Sequence, residues 1–122
     1  PVSYESLKDK LLYIDVWATW CKPCIKEIPS MKALQEAYKG KPVTFVSISV
    51  DQDKEAWKAA VQREKLSGIQ LYTNLSMNRD FIDNYDLSGI PRFMLVKNGK
   101  IISISAPKPS DAKVKELINA NL

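Results

Sequence analysis

A pair of cysteines at the end of a predicted strand constrains the fold of this chain most. Residues 11 to 17, LLYIDVW, form a short apolar run with β-branched and aromatic side chains, which predicts a buried strand. Cys21 and Cys24, the only cysteines in the chain, follow within a few residues. Behind them, apolar side chains recur at helical spacing until Gly40: Ile28, Met31, Leu34, Ala37 and Tyr38. We therefore expect the cysteines where a strand passes into a helix.

The middle of the chain continues the alternation of strands and helices. Residues 43 to 50, VTFVSISV, predict a second strand, and the acids of DQD at 51 to 53 predict an N-cap. The apolar residues of the helix that follows are Trp57, Ala60 and Val61. A short strand at 70 to 72 is expected next. A short helix is then expected around Phe81, Ile82 and Tyr85.

The last third predicts a hairpin and a helix. Residues 92 to 105, RFMLVKNGKIISIS, contain two strand-like runs joined by Asn98 and Gly99, a strong hairpin signal. Ser110 is expected to cap a final helix. The apolar face of that helix is predicted to be Val114, Leu117, Ile118 and Leu122. The order β-α-β-α, extra segment, β-β-α predicts an α/β protein with a mixed central sheet and helices on both faces.

Composition limits the domain count and the classes of partner. A chain of 122 residues with 45% hydrophobic residues suffices for one packed domain. The net charge of +4 comes from scattered basic residues, which gives little support for binding nucleic acid or a membrane surface. The sequence contains no run of about 18 apolar residues, so it predicts no membrane-spanning helix. The chain begins at Pro1 without a secretory signal, so we expect residues 1 to 122 to be one domain excised from a longer precursor.

Three interpretations of the cysteines differ in what they require. A structural zinc site needs about four ligands, and this chain has two cysteines and no histidine. A staple would close a very short ring and restrain little, and unpaired buried thiols would have this spacing only by coincidence. A redox pair is favoured, because a helix N-terminus stabilises a thiolate. Cys21, expected to be exposed, would attack a target disulfide, and the more covered Cys24 would resolve the mixed disulfide.

Several motifs together resemble the thioredoxin superfamily across nearly the whole chain. They are DVWATWCKPC, GIP at 89 to 91, KNGK at 97 to 100 and the closing VKELINANL. WATWCKPCIKEIP is similar to the TlpA/ResA-type branch of bacterial extracytoplasmic thiol-disulfide oxidoreductases, and so is the longer segment between the second strand-helix unit and GIP. The resemblance implies a thioredoxin fold and a periplasmic-side protein disulfide reductase. Protein disulfides would be its substrates and a membrane thiol protein its electron donor, with no metal, flavin or nicotinamide cofactor.

The resemblance also implies two acidic catalytic residues. Asp15 matches the buried acid that exchanges a proton with the second cysteine, and burial should raise its pKa toward neutrality. Thioredoxins often place a lysine near that acid, where this chain has Ser47. Glu27 matches a branch glutamate that would tune the cysteines.

Substrate binding is expected around a proline loop and a tryptophan. Pro91 matches the cis-proline that faces the cysteines, which leaves the Ile90 backbone free to pair with an extended substrate peptide. Trp20 is expected to be partly exposed as a substrate contact, and Trp17 to pack beneath the turn. Arg92 is expected near the mouth of the site without a defined role.

The residues between the cysteines are expected to tune the thiols. Lys22 should favour the Cys21 thiolate, which pulls mildly toward an oxidant or isomerase. Pro23 should hold the turn, and Pro29 should kink the helix. A thioredoxin-fold binding module without redox turnover is the alternative from another class. A thiol peroxidase or a copper carrier fits less well, because the first carries a lone reactive cysteine and the second needs a histidine ligand.

Overall fold

The computed structural model describes residues 10–72 and 89–122. The strands in these residues are β1 (Leu11–Trp17), β2 (Val43–Ser49), β3 (Ile69–Tyr72), β4 (Arg92–Lys97) and β5 (Lys100–Ser103). The helices are α1 (Lys22–Lys26), α2 (Ile28–Ala37), α3 (Lys54–Arg63) and α4 (Lys113–Asn121). Among the same residues, no helix combines the length and the apolar character needed to cross a membrane.

β1 is the central strand of a five-stranded sheet with the order β3-β2-β1-β4-β5. β2 runs parallel to β1 and β3 parallel to β2, whereas β4 and β5 are added antiparallel. The sheet is therefore mixed, as predicted. Val50 N donates a hydrogen bond to Trp17 O at 2.9 Å, so β1 and β2 remain joined where the chain turns toward the cysteines.

Side chains of β1 alternate between the two faces of the sheet, and each face has its own hydrophobic core. In the first core, Val16 packs in one cluster with Ala60 of α3 and with both cysteines. In the second core, Tyr13 clusters with Leu34 of α2 and Ile118 of α4. Helices thus cover both faces of the sheet, which confirms the predicted architecture.

The helix after the cysteines is interrupted at Glu27, between α1 and α2. Pro29 lies in the first turn of α2 and has no N–H to donate to the preceding turn. Met31 N donates to Glu27 O at 2.8 Å and begins the regular bonding of α2. The kink predicted at Pro29 is confirmed.

Asn98 and Gly99 connect β4 to β5 with φ values of 52° and 79°. Two consecutive positive φ values are typical of the two-residue hairpin turn that Asn-Gly favours. Asn98 N also donates to Lys10 O at 3.2 Å, which joins the turn to the start of β1. The predicted hairpin is confirmed.

Two predictions at α4 are wrong. Ser110 does not cap this helix, because α4 begins only at Lys113, whose N–H donates to Asp111 Oδ1 at 2.9 Å. Leu122 does not belong to the apolar face and is 45% exposed, because it follows the last helical residue. The buried residues of α4 are Val114 and Ile118.

The acids that follow β2 have different roles. Asp53 is the N-cap of α3, since its carboxylate accepts from the Glu55 and Ala56 N–H groups at 3.0 and 3.3 Å. Asp51 caps nothing and is buried. The short helix predicted around Phe81 lies outside the described residues.

Candidate active site

Cys21 and Cys24 form a disulfide at the start of α1, with their Cα atoms 5.2 Å apart. Cys21 is the N-cap residue, and its Sγ accepts a hydrogen bond from Cys24 N at 3.2 Å. Pro23 lies in the first turn, where its missing N–H costs no helical bond, and Lys22 is exposed. A sulfur in this position faces a backbone donor, which is the arrangement that stabilises a thiolate.

The two cysteines are equally covered. Cys21 is 4% exposed and Cys24 is 6% exposed, so the prediction of a more exposed Cys21 is wrong for the disulfide form. Both sulfur-bearing side chains belong to the first core, and each sulfur also covers the other. Trp17 is buried in the same core, whereas Trp20 is 66% exposed, which confirms both expectations of exposure.

Asp15 is the acid of the central strand and is half-buried. Burial raises the pKa of Asp15 to about 7, which agrees with the direction that the sequence predicts. Ser47 is its register partner on β2 and donates from Oγ to Asp15 Oδ1 at 2.5 Å, which lowers the pKa and limits the rise. A serine hydroxyl thus contacts the acid where thioredoxins often place a lysine.

A narrow cavity of about 30 Å³ connects several of the predicted site residues. Its lining includes Asp15, Cys24, Glu27 and Pro91. A space of this size admits about one or two water molecules. The fold therefore places a carboxyl group of near-neutral pKa and the second cysteine on the same small cavity.

The Ile90–Pro91 peptide bond is cis, as the resemblance implies. Pro91 lines the cavity together with Cys24, and Ile90 packs against the first core, which contains both cysteines. Arg92, the first residue of β4, donates from its guanidinium to Ile104 O at 3.0 Å. The proline loop thus lies at the disulfide, and the role of Ile90 in binding a peptide stays a prediction.

Glu27 connects the cysteine helix to the loop before α4. Its carboxylate accepts from Ser110 N at 3.0 Å and from Ser110 Oγ at 2.8 Å, across 83 positions of the chain. Glu27 also lines the cavity together with Cys24, and its tuning of the cysteines stays a prediction. Within residues 10–72 and 89–122, no group of three or more Cys, His, Asp or Glu side chains could hold a metal ion.

Asp51 is the residue at this site that the sequence analysis missed. It is 2% exposed, and its carboxylate accepts hydrogen bonds from Thr19, two residues before Cys21. The available signal was an acid directly after a strand, which equally predicts a helix N-cap. Only the pairing of β1 with β2 brings the carboxylate to the cysteine turn.

The mixed sheet, the disulfide at a strand-to-helix junction and the adjoining cis-proline define a redox protein of the thioredoxin fold. The chain belongs to the Redoxin family, whose family model matches residues 1–120. This membership agrees with the resemblance in the sequence, which predicted the same fold and the same class.

Named relatives are thiol-disulfide oxidoreductases. The chain is 27% identical over 119 residues to the thiol-disulfide oxidoreductase ResA of Bacillus subtilis, an alignment that covers 97% of this chain and 65% of the relative. The chain therefore spans less than two thirds of the length of that curated relative.

Solved structures show the same architecture. A Bacteroides vulgatus protein assigned as a thiol-disulfide oxidoreductase is 49% identical with a TM-score of 0.88, covering 98% of this chain and 78% of that one. The thioredoxin domain of a second thiol-disulfide oxidoreductase from Bacteroides vulgatus is 26% identical with a TM-score of 0.85, covering 98% and 84%. Both solved structures share the fold of this chain, and both are thiol-disulfide oxidoreductases by name.

Proposed function

We propose that this domain reduces disulfides in extracytoplasmic proteins by exchange with its Cys21–Cys24 pair. The observation that carries the proposal is the disulfide itself, with Cys21 at a helix N-cap and Cys24 on a cavity that is also lined by Asp15, a carboxyl group of near-neutral pKa. The reductive direction and a thiol electron donor in the membrane are what the resemblance to the TlpA/ResA-type branch implies, and the similarity to a thiol-disulfide oxidoreductase of that type supports the exchange chemistry.

In the first step, the Cys21 thiolate of the reduced domain attacks one sulfur of a substrate disulfide. A mixed disulfide forms, and the other substrate sulfur leaves as a thiolate that takes up a proton. In the second step, Cys24 loses its proton and attacks Cys21 Sγ. The Cys21–Cys24 disulfide forms, the second substrate thiol is released, and two electrons have passed to the substrate. A dithiol donor returns the domain to its reduced state by the reverse exchange.

Asp15 is the proposed proton acceptor for Cys24 in the second step. A base is most useful when its pKa lies near the working pH, and burial places the pKa of Asp15 at about 7. Asp15 and Cys24 line the same cavity, which has room for a bridging water molecule. Glu27 is proposed to act as a second carboxylate that adjusts the cysteines from its position between α1 and α2.

The substrate segment is proposed to bind across Trp20 and the proline loop. Trp20 presents an aromatic surface that is 66% exposed next to Cys21, which suits contact with an apolar side chain of the substrate. The Ile90 backbone before Pro91 would pair with an extended peptide as an added strand. Lys22 and Pro23 are proposed to favour the thiolate and to hold the turn, respectively.

Equilibration of the domain with graded ratios of reduced to oxidised glutathione tests the proposal, with free thiols counted at each ratio. We expect a reduction potential near the thioredoxin value of about −270 mV, since the proposed direction is reductive. A value of about −120 to −180 mV would instead identify an oxidant or an isomerase.

The variant Cys24→Ser tests the order of attack. It should accumulate a mixed disulfide on Cys21 with a disulfide-containing peptide, because the resolving thiol is absent. The matched variant Cys21→Ser should accumulate much less adduct. A pair that never exchanges with glutathione, and a Cys24→Ser protein that traps no adduct, would leave a binding module as the better description.

A further inference from the structure

Asp51 forms a dense set of hydrogen bonds at the carboxyl end of β2. Its Oδ1 and Oδ2 accept from Thr19 N at 3.0 and 3.1 Å, and Oδ1 accepts from Thr19 Oγ1 at 2.7 Å. Oδ2 also accepts from Ser49 Oγ at 2.5 Å. The carboxylate is 2% exposed, and a buried carboxylate is expensive unless donors surround it. Most of these donors belong to one residue of the cysteine turn.

Thr19 is a central residue of the turn that delivers Cys21 to the helix. Cys21 N donates to Ala18 O at 3.1 Å, which closes a four-residue turn with Thr19 and Trp20 at its centre. In that turn Trp20 is exposed, and Cys21 is buried with its Sγ against Cys24 N. The Asp51 carboxylate therefore binds the backbone of the turn that places both residues.

Asp53 lies in the same loop between β2 and α3 and is a conventional helix N-cap. It caps α3 through two backbone N–H groups, and it has no bond to the cysteine turn. Asp51 lies only two residues earlier, yet its bonds cross 32 positions of the chain to Thr19. The difference in partners separates a helix cap from a contact directed at the redox turn.

We propose that Asp51 is a positioning residue for the redox reaction and holds the turn of Thr19 so that the two sulfurs stay close when the disulfide is open. The inference rests on the proposed thiol-disulfide function. When the disulfide is reduced, no covalent bond holds Cys21, and the bonds from Thr19 to Asp51 maintain its place. Because these hydrogen bonds hold the Cys21 thiol near Cys24, formation of the disulfide costs less entropy. The hydrogen bonds from Thr19 to Asp51 therefore favour the disulfide over the dithiol.

Loss of the hydrogen bonds between Thr19 and Asp51 should therefore make the disulfide easier to reduce. The variant Asp51→Asn removes the charge and weakens the bonds to Thr19, and we expect its equilibrium with glutathione to shift about tenfold toward the dithiol, or about 30 mV. The variant Thr19→Val keeps the buried charge and removes only the hydroxyl donor. A smaller shift of about threefold in the same direction is expected for it.

The matched control is Asp53→Asn, which makes the same chemical change in the same connection. It should lower stability by weakening the cap, yet leave the glutathione equilibrium within about twofold of the wild type. A purely structural effect acts on the oxidised and reduced proteins alike and does not move the equilibrium. The equilibrium constant thus separates positioning from stability.

The outcomes distinguish the inference from the function on which it rests. If the wild type exchanges with glutathione and both Asp51→Asn and Thr19→Val match Asp53→Asn, the positioning role is wrong and the proposed function stands. If the wild type does not exchange, both are overturned. If Asp51→Asn fails to fold, Thr19→Val decides, because its change is confined to one hydroxyl group.

Discussion

At the scale of single residues, burial of Asp15 raises the pKa of its carboxyl and lowers the stability of the folded protein at neutral pH. The carboxyl lies on the cavity between the sheet and α2, and burial raises its pKa to about 7 from an ordinary value of 3.8. Ser47 offsets part of that rise by donating one hydrogen bond. The same environment that suits Asp15 to proton transfer therefore disfavours its charged form in the folded protein.

Replacement of Asp15 by Asn should change how stability depends on pH. Because the pKa is raised on folding, the contribution of Asp15 is fully present below about pH 4 and is lost as pH rises through about 7. The oxidised Asp15→Asn protein should lack this loss and gain up to about 4 kcal/mol relative to wild type between pH 4 and 8. Urea unfolding across that range measures the difference.

The exposed Glu36 on α2 supplies the control for that measurement. Glu36→Gln removes a carboxylate that faces water, so its stability difference from wild type should stay nearly constant with pH. A constant difference for Asp15→Asn as well would show that Asp15 ionises normally in the folded protein.

Residue-scale predictions succeeded where the strand pattern alone determines the environment. Asp15 and Trp17 were placed correctly because LLYIDVW predicts a buried strand whatever packs against it. The prediction that Cys21 is exposed was wrong, because its exposure depends on the core around the turn, which no local sequence pattern encodes.

At the scale of elements, the loop between α3 and β3 covers the cavity of Asp15. Ser67 and Leu66 of this loop line the cavity. Ser67 Oγ donates to Gln35 Oε1 of α2 at 2.6 Å, and Gln35 Nε2 donates back to Ser67 O at 3.3 Å. The loop is thereby fixed to the helix that carries the other wall of the cavity.

Gly68 permits that close contact. Its φ is +81°, and a Cβ at this position would lie 2.9 Å from Phe45 O and 3.0 Å from Gln35 Nε2. Gly68→Ala should therefore cost about 1 kcal/mol for the backbone conformation and a further 1–3 kcal/mol for displacing the Phe45 carbonyl of β2, whereas the Gln35 side chain can move aside. Chemical unfolding of the oxidised protein measures the total.

Gly40→Ala is the matched control, because Gly40 has the same φ of +81° and no atom within 4 Å of a Cβ. Only the conformational cost of about 1 kcal/mol applies there. Equal losses of unfolding free energy in Gly68→Ala and Gly40→Ala would show that the loop at Gly68 moves away from Phe45 without an energetic cost.

At the scale of the whole molecule, the sheet separates a hydrophobic core that contains the disulfide from a second core that does not. The first core contains the disulfide, whereas the second core joins Tyr13, Leu34 and Ile118 across the opposite face. Residues of the second core should therefore govern folding with little influence on the redox equilibrium.

Ile118→Ala tests this separation. Ile118 is fully buried, so the truncation should cost roughly 2–5 kcal/mol of the free energy of unfolding. The glutathione equilibrium should stay at the wild-type value, because the core that contains Ile118 does not contain the cysteines. Ile102→Ala, at an exposed position of β5, should change neither quantity appreciably. A shifted equilibrium in Ile118→Ala would show that the second core also differs between the two redox forms.

The sequence by itself determined the order of strands and helices within residues 10–72 and 89–122, the Asn98-Gly99 hairpin, the place of the cysteines at a strand-to-helix junction and the resemblance to thioredoxins. These features depend on periodicity, turn chemistry and short motifs, which act between near neighbours. Only the tertiary structure decided the binding of Asp51 to Thr19 across 32 positions, that of Glu27 to Ser110 across 83, and the burial of Cys21. Such contacts arise when the sheet brings distant segments together, and a polar side chain then bonds to whichever donors it meets there rather than to those nearby in the chain.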